Sequence, residues 1–319
     1  MCINNKKILV TGGLGFIGRS LLEKLIETQC GAKLYAIDIK DIPENAKILK
    51  ENIIYEQIDI RDENSIKCYI LNHKFDGVIH LAAVSRVIDS EKDKRNCIET
   101  NYKGTKYIAE AVRKLKNCWM IFGSSREVYG EQNNLPVCEI AELLPINVYG
   151  FYKLEGERIV QSLVKRNCIL RFCNVYGNEY DIKSRVIPTF VSTAMKGGVI
   201  SLEGGDQIID FTHIDNTVTT IIKCINKITK SEIKSDTIHI SPGIGNKITD
   251  IIDILKQLGY QFKVKINEPR SYDVHHFVGD KTKRIMIFGD EKFIDLKEGI
   301  EKLIEIYKKN RQRFAFLKR

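Results

Sequence analysis

The chain has 319 residues, 43% of them hydrophobic, with a net charge of +9 and a mean hydropathy of -0.19. This composition supports one or two folded domains with a buried core. No apolar run is long enough to cross a bilayer, and the opening MCINNKKILVTGG lacks the layout of a signal peptide. We therefore expect a soluble cytoplasmic protein without a membrane partner. Basic residues are not interleaved with stacking aromatic residues, which argues against a nucleic-acid partner.

Nine cysteines are scattered along the chain, and none form a CxxC pair. An odd number of scattered cysteines in a long chain favours reduced thiols over a disulfide framework. Among the six histidines only His275 and His276 are neighbours, and adjacent side chains usually point apart. We therefore expect no metal site.

Segments typical of strands and of helices alternate along the first half of the chain. This order predicts an α/β fold, a Rossmann-type doubly wound parallel sheet with helices on both faces. The near-continuous apolar character of most of these strands agrees with a sheet covered on both sides. The predicted strands span residues 6–12, 32–38, 53–60, 77–83, 118–124 and 168–175, and the predicted helices include 16–28 and 100–116.

The alternation weakens after about Val175, where shorter elements follow one another. We expect a dinucleotide-binding domain over residues 1–175, to which the chain returns around 212–243. Residues 176–319 would form most of a smaller α/β lobe that binds the substrate. The predicted elements of this part are helices at 186–196, from 215, at 248–259 and near 295–310, and strands at 199–202, 208–214, 237–241 and 262–267.

The segment TGGLGFIG (11–18) follows the first predicted strand and opens the first predicted helix. Glycines at 12, 15 and 18 permit a tight turn, and the helix N-terminus offers N–H groups to a pyrophosphate. Asp38 ends the second predicted strand twenty residues after Gly18. A carboxylate there accepts hydrogen bonds from the adenosine ribose and repels a 2′-phosphate, which favours NAD over NADP. Lys40 nearby would soften that repulsion.

The segment VYGFYK (148–153) places Tyr149 four residues before Lys153, a spacing that puts both side chains on one helix face. An ammonium near a phenol favours the phenolate, so we expect Lys153 to lower the pKa of Tyr149 towards that of a useful general base. On its own this spacing also fits a surface aromatic beside a solvated lysine.

Further motifs occur in one order with these two: DIRD at 59–62, HLAA at 80–83, Asn101 in TNYKGT, Ser125 in GSSREVYG and RFCNVYG at 171–177. The series resembles the extended short-chain dehydrogenase/reductase family, and within it the NAD-dependent nucleotide-sugar epimerases and dehydratases. The resemblance covers nearly the whole chain.

The resemblance implies which residues bind the NAD cofactor. The glycine turn and Asp38 would hold it, Asp59 and Ile60 would border the adenine, and Lys153 would hold the nicotinamide ribose. The full set is Gly12, Gly15, Phe16, Ile17, Gly18, Asp38, Ile39, Asp59, Ile60, Leu81, Ala82, Ala83, Asn101, Tyr149 and Lys153.

The resemblance also implies a catalytic set of Tyr149, Lys153, Ser125 and Glu127. Tyr149 would take the proton from a sugar hydroxyl, usually at C4, and Ser125 would hydrogen-bond the reacting oxygen. The implied substrate-binding residues are Ser85, Arg86, Ser125, Arg126, Asn174, Arg185 and Arg270. Helices near 96–116 and 148–166 resemble those that form the dimer interface in this family, so we expect a homodimer.

Two departures from the family pattern affect the expected reaction. Family dehydratases carry a Thr-Asp-Glu run or a close variant where this chain has Ser125, Arg126 and Glu127, and an arginine does not donate a proton at neutral pH. Arg126 would either pair with a neighbouring carboxylate or bind sugar hydroxyls, and Glu127 would orient a hydroxyl or act as a base. Many relatives have an arginine where Ile209 stands, so diphosphate binding would depend on Arg270 with Lys183 or Arg185.

We therefore expect an NAD-dependent enzyme that oxidises C4 of a nucleotide-activated hexose or heptose, in a surface-polysaccharide pathway. It would act as a 4-epimerase or as a 4-dehydrogenase that releases the keto sugar. The alternatives are a 4,6-dehydratase and, from another class, a non-catalytic NAD-binding regulatory module. Retention of Ser125, Tyr149 and Lys153 together argues against that last hypothesis.

Overall fold

The computed structural model of the protein describes residues 3–44, 46–270 and 272–316, with side chains as far as residue 310. Its strands are β1 Lys7–Thr11, β2 Lys33–Asp38, β3 Ile54–Gln57, β4 Gly77–His80, β5 Trp119–Ser125, β6 Asn167–Phe172, β7 Asn174–Tyr176, β8 Val199–Glu203, β9 Ile208–His213, β10 Ser235–Ile240, β11 Gly245–Lys247, β12 Lys263–Asn267 and β13 His276–Phe277.

The helices alternate with these strands in the first half and cluster in the second. They are α1 Phe16–Glu27, α2 Lys47–Asn52, α3 Glu63–His73, α4 Val87–Lys92, α5 Lys94–Cys97, α6 Thr105–Arg113, α7 Val148–Leu163, α8 Val186–Ala194, α9 Ile214–Thr229, α10 Ile248–Gln257, α11 Thr282–Phe288 and α12 Leu296–Phe316. A π-helical turn, Ile98–Gly104, leads into α6, and a 3₁₀ turn, Arg126–Val128, follows β5.

Seven parallel strands form the main sheet, in the order β10-β6-β5-β4-β1-β2-β3. Every residue of β5 is buried, as expected for a strand with helices on both faces. Helices α1 and α9 cover one face, and α3, α6 and α7 cover the other. This architecture confirms the predicted Rossmann-type α/β fold.

The second lobe has its own core, to which α8, α10 and α12 contribute Ile187, Ile251 and Leu303. Strand β9 lies at the centre of its larger sheet, where it pairs with β7 and β13 in parallel and with β11 antiparallel. Strands β8 and β12 form a separate parallel pair. The chain enters the main sheet a last time as β10, beside β6.

The prediction of one strand over residues 168–175 is wrong, because this segment forms two strands in two sheets. Strand β6 pairs with both neighbours as far as Phe172, opposite Ser125 and Ile240, where both neighbouring strands end. Beyond Cys173 the chain continues as β7 and pairs with β9 instead. This switch carries the chain from the main sheet to the second lobe and opens a cleft between them. None of the described helices has the length and apolar character needed to span a membrane.

Candidate active site

A cavity of about 830 Å³ lies at the carboxyl ends of the main-sheet strands and extends to the second lobe. Ligand sites of open α/β sheets lie at this edge, where the strand order reverses. Its walls include Gly12 and Asp38 at one end, Ser125 and Tyr149 in the middle, and Arg270 from the second lobe. We call the end with Gly12 and Asp38 the nucleotide end. The end with Arg270 is called the sugar end, after the ligand part that the family resemblance implies there.

The glycine turn at the nucleotide end is fixed by close backbone packing. Gly12 has a φ of +69°, and a Cβ added there would lie 2.7 Å from the backbone nitrogen of Ala82. A Cβ on Gly18 would lie 2.2 Å from the carbonyl oxygen of Gly12. Both positions therefore require glycine. Helix α1 begins after Gly15 without a side-chain cap and without an acidic residue in its first turn.

Asp38 lies at the end of β2, on the wall of the same cavity. One carboxylate oxygen accepts a hydrogen bond from the backbone N–H of Leu14 at 3.0 Å, and the other accepts from Lys40 N–H at 3.3 Å. These contacts hold the carboxylate beside the glycine turn and leave it acceptor capacity, since each carboxylate oxygen has two lone pairs.

The other residues predicted to bind the cofactor lie nearby, with one exception. The lining set includes Gly15, Phe16, Ile17, Gly18, Ile39, Asp59, Ile60, Leu81, Ala82 and Ala83. The carboxylate of Asp59 is held by the guanidinium of Arg61, which lowers the pKa of Asp59. Asn101 instead lies behind the wall, where its side chain pairs with both backbone groups of Val84 at 2.8 and 3.0 Å. It supports the lining segment without belonging to it.

The nucleotide end therefore fits a dinucleotide on its own geometry. The first turn of α1 presents a positive helix end without a competing carboxylate, which suits a pyrophosphate. The packing of Gly12 against Ala82 keeps side-chain bulk out of the turn, and Asp38 provides the acceptors that a ribose diol requires.

Ser125 and Tyr149 meet at the middle of the cavity, beside Lys153. Helix α7 starts immediately before Tyr149, because the side chain of Asn147 accepts a hydrogen bond from Gly150 N–H at 2.8 Å and caps the helix. Lys153 follows one turn later, and its ammonium donates to the carbonyl oxygen of Gly123 at 2.7 Å. The Lys153 Nζ lies 5.9 Å from the centre of the Tyr149 ring.

The prediction that Lys153 lowers the pKa of Tyr149 is wrong for this structure. Burial raises the pKa of Tyr149 to about 12, and a hydrogen bond with Ser125 and the charge of Arg185 oppose this only in part. Burial likewise lowers the pKa of Lys153 to about 8. Desolvation disfavours the charged form of both groups, and it is the largest contribution to both shifts.

Arg126 and Glu127 form a buried ion pair next to Ser125, with 2.9 Å between Arg126 Nη2 and Glu127 Oε1. Arg126 Nε donates to the side-chain oxygen of Asn174 at 2.8 Å, and Asn147 Nδ2 donates to the second Glu127 oxygen at 2.8 Å. The Nη1 of Arg126 is buried and has no hydrogen-bond partner among the described residues. Arg126 thus pairs with a carboxylate, which is one of the two alternatives expected of it, and it also lines the cavity.

The remaining cations of the sugar end also have acidic partners. Arg185 lies 3.3 Å from Asp181 and 3.4 Å from the carbonyl oxygen of Ser85. Arg270 is bonded to Glu203 and lies 3.9 Å from Asp273. Ser85, Arg86 and Ile209 line the cavity as well. Lys183 is not among the lining residues, so Arg185 and Arg270 are the two of the three cations predicted for a diphosphate that line the cavity.

Sequence reasoning missed the residues that hold these groups in place. Asn147 had a recognisable signal, since an asparagine directly before a helix is a favoured N-cap. Glu203 had none, because its partner Arg270 lies 67 positions away, whereas Asp181 stands only four residues before Arg185. Burial raises the pKa of Asp181 to about 6, and Arg185 opposes the shift.

Comparison with known proteins places this geometry in a family. The model of the NAD dependent epimerase/dehydratase family matches residues 8–238. A "Putative UDP-glucose 4-epimerase" of Methanocaldococcus jannaschii is 31% identical over 315 residues, which covers 95% of this chain and 99% of that protein. A dTDP-D-glucose 4,6-dehydratase of Homo sapiens is 26% identical over 320 residues, covering 96% and 89% of the two chains.

A solved structure agrees with these matches. The UDP-glucose 4-epimerase of Thermotoga maritima, solved with UDP-glucose, has a TM-score of 0.85 and 26% identity, and the match covers 95% of this chain and 99% of that one. The family resemblance seen in the sequence, with its NAD cofactor, is thereby confirmed. The chain belongs to the NAD-dependent epimerase/dehydratase family.

Proposed function

We propose that the protein is a 4-epimerase that oxidises C4 of a nucleotide diphosphate sugar and reduces it again from the opposite face. One observation carries the proposal: Ser125, Tyr149 and Lys153 line one cavity that is continuous with the dinucleotide site. The similarity to UDP-glucose 4-epimerases supports the same reaction.

In this proposal Tyr149 holds and moves the proton of the C4 hydroxyl. Ser125 donates a hydrogen bond to the phenolate form and lowers its energy, as does the charge of Arg185. The Lys153 ammonium, fixed by Gly123, keeps a positive charge near the ring. NAD bound at the nucleotide end supplies the nicotinamide that accepts and returns a hydride, and its positive charge favours the phenolate.

The arrangement at Arg126 argues against 4,6-dehydration. A dehydratase needs an acid for the departing C6 hydroxyl, and the guanidinium cannot serve because it does not release its proton at neutral pH. Glu127 has both oxygens engaged, one by Arg126 and one by Asn147. The sugar end is thus better equipped to hold a sugar than to remove water from it.

Arg270 and Arg185 would bind the diphosphate in place of the arginine that Ile209 replaces. Both guanidinium groups line the sugar end, and both are partly exposed to it.

A homodimer is also part of the proposal. It is supported by Phe151 on α7, which is 47% exposed and packs edge-on against Tyr152, whose ring lies near Tyr102 of the π-helical turn. Sugar metabolism for surface polysaccharides, in the cytoplasm, is the setting in which we place this enzyme.

Incubation with UDP-, GDP-, CDP- and dTDP-sugars tests the reaction, with NMR for the sugar and absorbance for the cofactor. Inverted configuration at C4 without net NADH supports the epimerase. Net NADH would show a 4-dehydrogenase, and loss of water would show a dehydratase. No turnover of any sugar, with NAD bound, would favour a non-catalytic module.

A further inference from the structure

The carboxylate of Glu127 is buried, and both of its oxygens have a partner. Its two oxygens bond to Arg126 and Asn147 at 2.9 and 2.8 Å, and the residue is 7% exposed. Each partner is itself fixed. Arg126 donates to Asn174 on β7, and Asn147 caps the helix that carries Tyr149.

The proposed C4 oxidation explains why the carboxylate of Glu127 would need to be restrained. Once C4 is a carbonyl, the hydrogen on C5 becomes acidic, because the electron pair of the C5–H bond can move into an enolate with its charge on the C4 oxygen. A carboxylate in the same cavity can take that proton. The enolate then recovers a proton at C5 from either side, which scrambles C5 or starts an elimination. A 4-epimerase must suppress this step.

We propose that Arg126 is a positioning residue that keeps Glu127 from acting as a base at C5 of the 4-keto sugar. This inference rests on the proposed C4 oxidation. The pair with Arg126 keeps one oxygen of Glu127 occupied, at 2.9 Å. Asn147 alone would leave that oxygen free to face the sugar.

The wild-type enzyme provides the first test, in D₂O with a nucleotide sugar that it epimerises. We expect inversion at C4 with no deuterium at C5, as measured by NMR and mass spectrometry of the recovered sugar. Deuterium at C5 that accumulates together with C4 inversion would overturn the inference and leave the epimerase proposal standing. An absence of C4 inversion would instead count against the proposed function.

The second test is Arg126→Met, which keeps an unbranched apolar stem but removes every donor. We expect deuterium at C5 to rise about tenfold or more per C4 turnover, since a positioned base accelerates proton transfer by about 10²–10⁴. A merely structural role of Arg126 predicts loss of turnover and no gain of exchange. A nucleotide 4-keto sugar supplied directly gives the same readout without dependence on C4 oxidation.

Two further variants locate the gained exchange. Arg126→Lys keeps the positive charge beside Glu127 and should show at most a small increase in deuterium. The double variant Arg126→Met with Glu127→Gln should lose the gained exchange. A folded Arg126→Met enzyme that epimerises without C5 exchange, or exchange that persists in the double variant, would contradict the proposal.

Discussion

The two ends of the cavity are built in different ways. At the nucleotide end the backbone determines the shape of the cavity. Gly12 and Gly18 pack against main-chain atoms, and the N-terminus of α1, which has no side-chain cap, lies between them in the sequence. At the sugar end long side chains determine the shape, and the cations Arg126, Arg185 and Arg270 each have a carboxylate partner. The first construction depends on close backbone packing and suits one cofactor. The second depends on side-chain ion pairs and can be altered one pair at a time.

The largest effect is expected where the two ends meet, at Tyr149. Tyr149→Phe removes the only phenol we place at the reacting hydroxyl, so kcat should fall by about 10²–10⁴-fold. The ring remains, so NAD affinity should change little. The measurement is single-turnover kinetics together with NAD titration. Tyr107→Phe is the matched control, because this tyrosine lies on α6 beside Lys67 and away from the cavity. Turnover retained in Tyr149→Phe would remove the catalytic assignment.

The two ends of the cavity also differ in how well the sequence could predict them, and the nucleotide end was the easier one. Gly12, Gly18 and Asp38 belong to one strand–turn–helix unit and the next strand, so their spacing alone located the nucleotide end. Tyr149 and Lys153 are four residues apart on one helix, which is again a local pattern. The predicted alternation of strands and helices and the family resemblance followed from such local signals.

The sugar end could not be predicted in the same way. Arg126 and Asn174 lie 48 positions apart, and Glu203 and Arg270 lie 67 apart, so nothing in the local pattern pairs them. The pKa of Tyr149 was predicted in the wrong direction because burial, which raises it, is a property of the folded chain. Asn101 was placed at the cofactor for a similar reason, since only the fold turns its side chain towards Val84.

Gly12→Ala tests whether the backbone defines the nucleotide end. The positive φ costs about 1–2 kcal/mol for alanine, and the contact with Ala82 adds strain of about 2 kcal/mol by analogy with overpacked sites. We expect a loss of about 3 kcal/mol in the free energy of unfolding and weaker NAD binding, measured by denaturant titration and calorimetry. Gly289→Ala is the matched control, with a φ of +87° and nothing within 4 Å of the added Cβ. Equal losses in the two variants would show that packing against Ala82 is unimportant.

Lys153→Met separates two effects of the buried ammonium: its destabilisation of the folded protein and its role in catalysis. The folded-state pKa of Lys153, about 8, lies below the ordinary value of 10.5. Below pH 8 the buried charge of Lys153 therefore lowers the free energy of unfolding of the wild-type protein by its full amount. Between pH 8 and 10.5 only the unfolded chain holds the proton, so this destabilisation decreases as the pH rises. At about 1.4 kcal/mol per pH unit this amounts to about 3 kcal/mol, and loss of the bond to Gly123 offsets about 1.

The variant should thus be about 2 kcal/mol more stable than wild type at pH 7, and this advantage should vanish by about pH 10. Urea titrations across that range measure it. Epimerisation should be lost at every pH, because the fixed ammonium beside Tyr149 is gone. A stability difference that does not change between pH 7 and pH 10 would mean that Lys153 keeps its ordinary pKa in the folded protein.

The smallest effect is expected from breaking one ion pair at the sugar end. Arg270→Gln removes a cation from the proposed diphosphate site and leaves Glu203 and Asp273 beside it. If Arg270 binds substrate and transition state equally, KM should rise about tenfold with kcat unchanged. Part of that rise would come from the repulsion of the diphosphate by Glu203, so adding Glu203→Gln should recover affinity. A fall in kcat without a change in KM would place Arg270 at the reacting carbon instead of the diphosphate. The sugar end would then contain a catalytic cation.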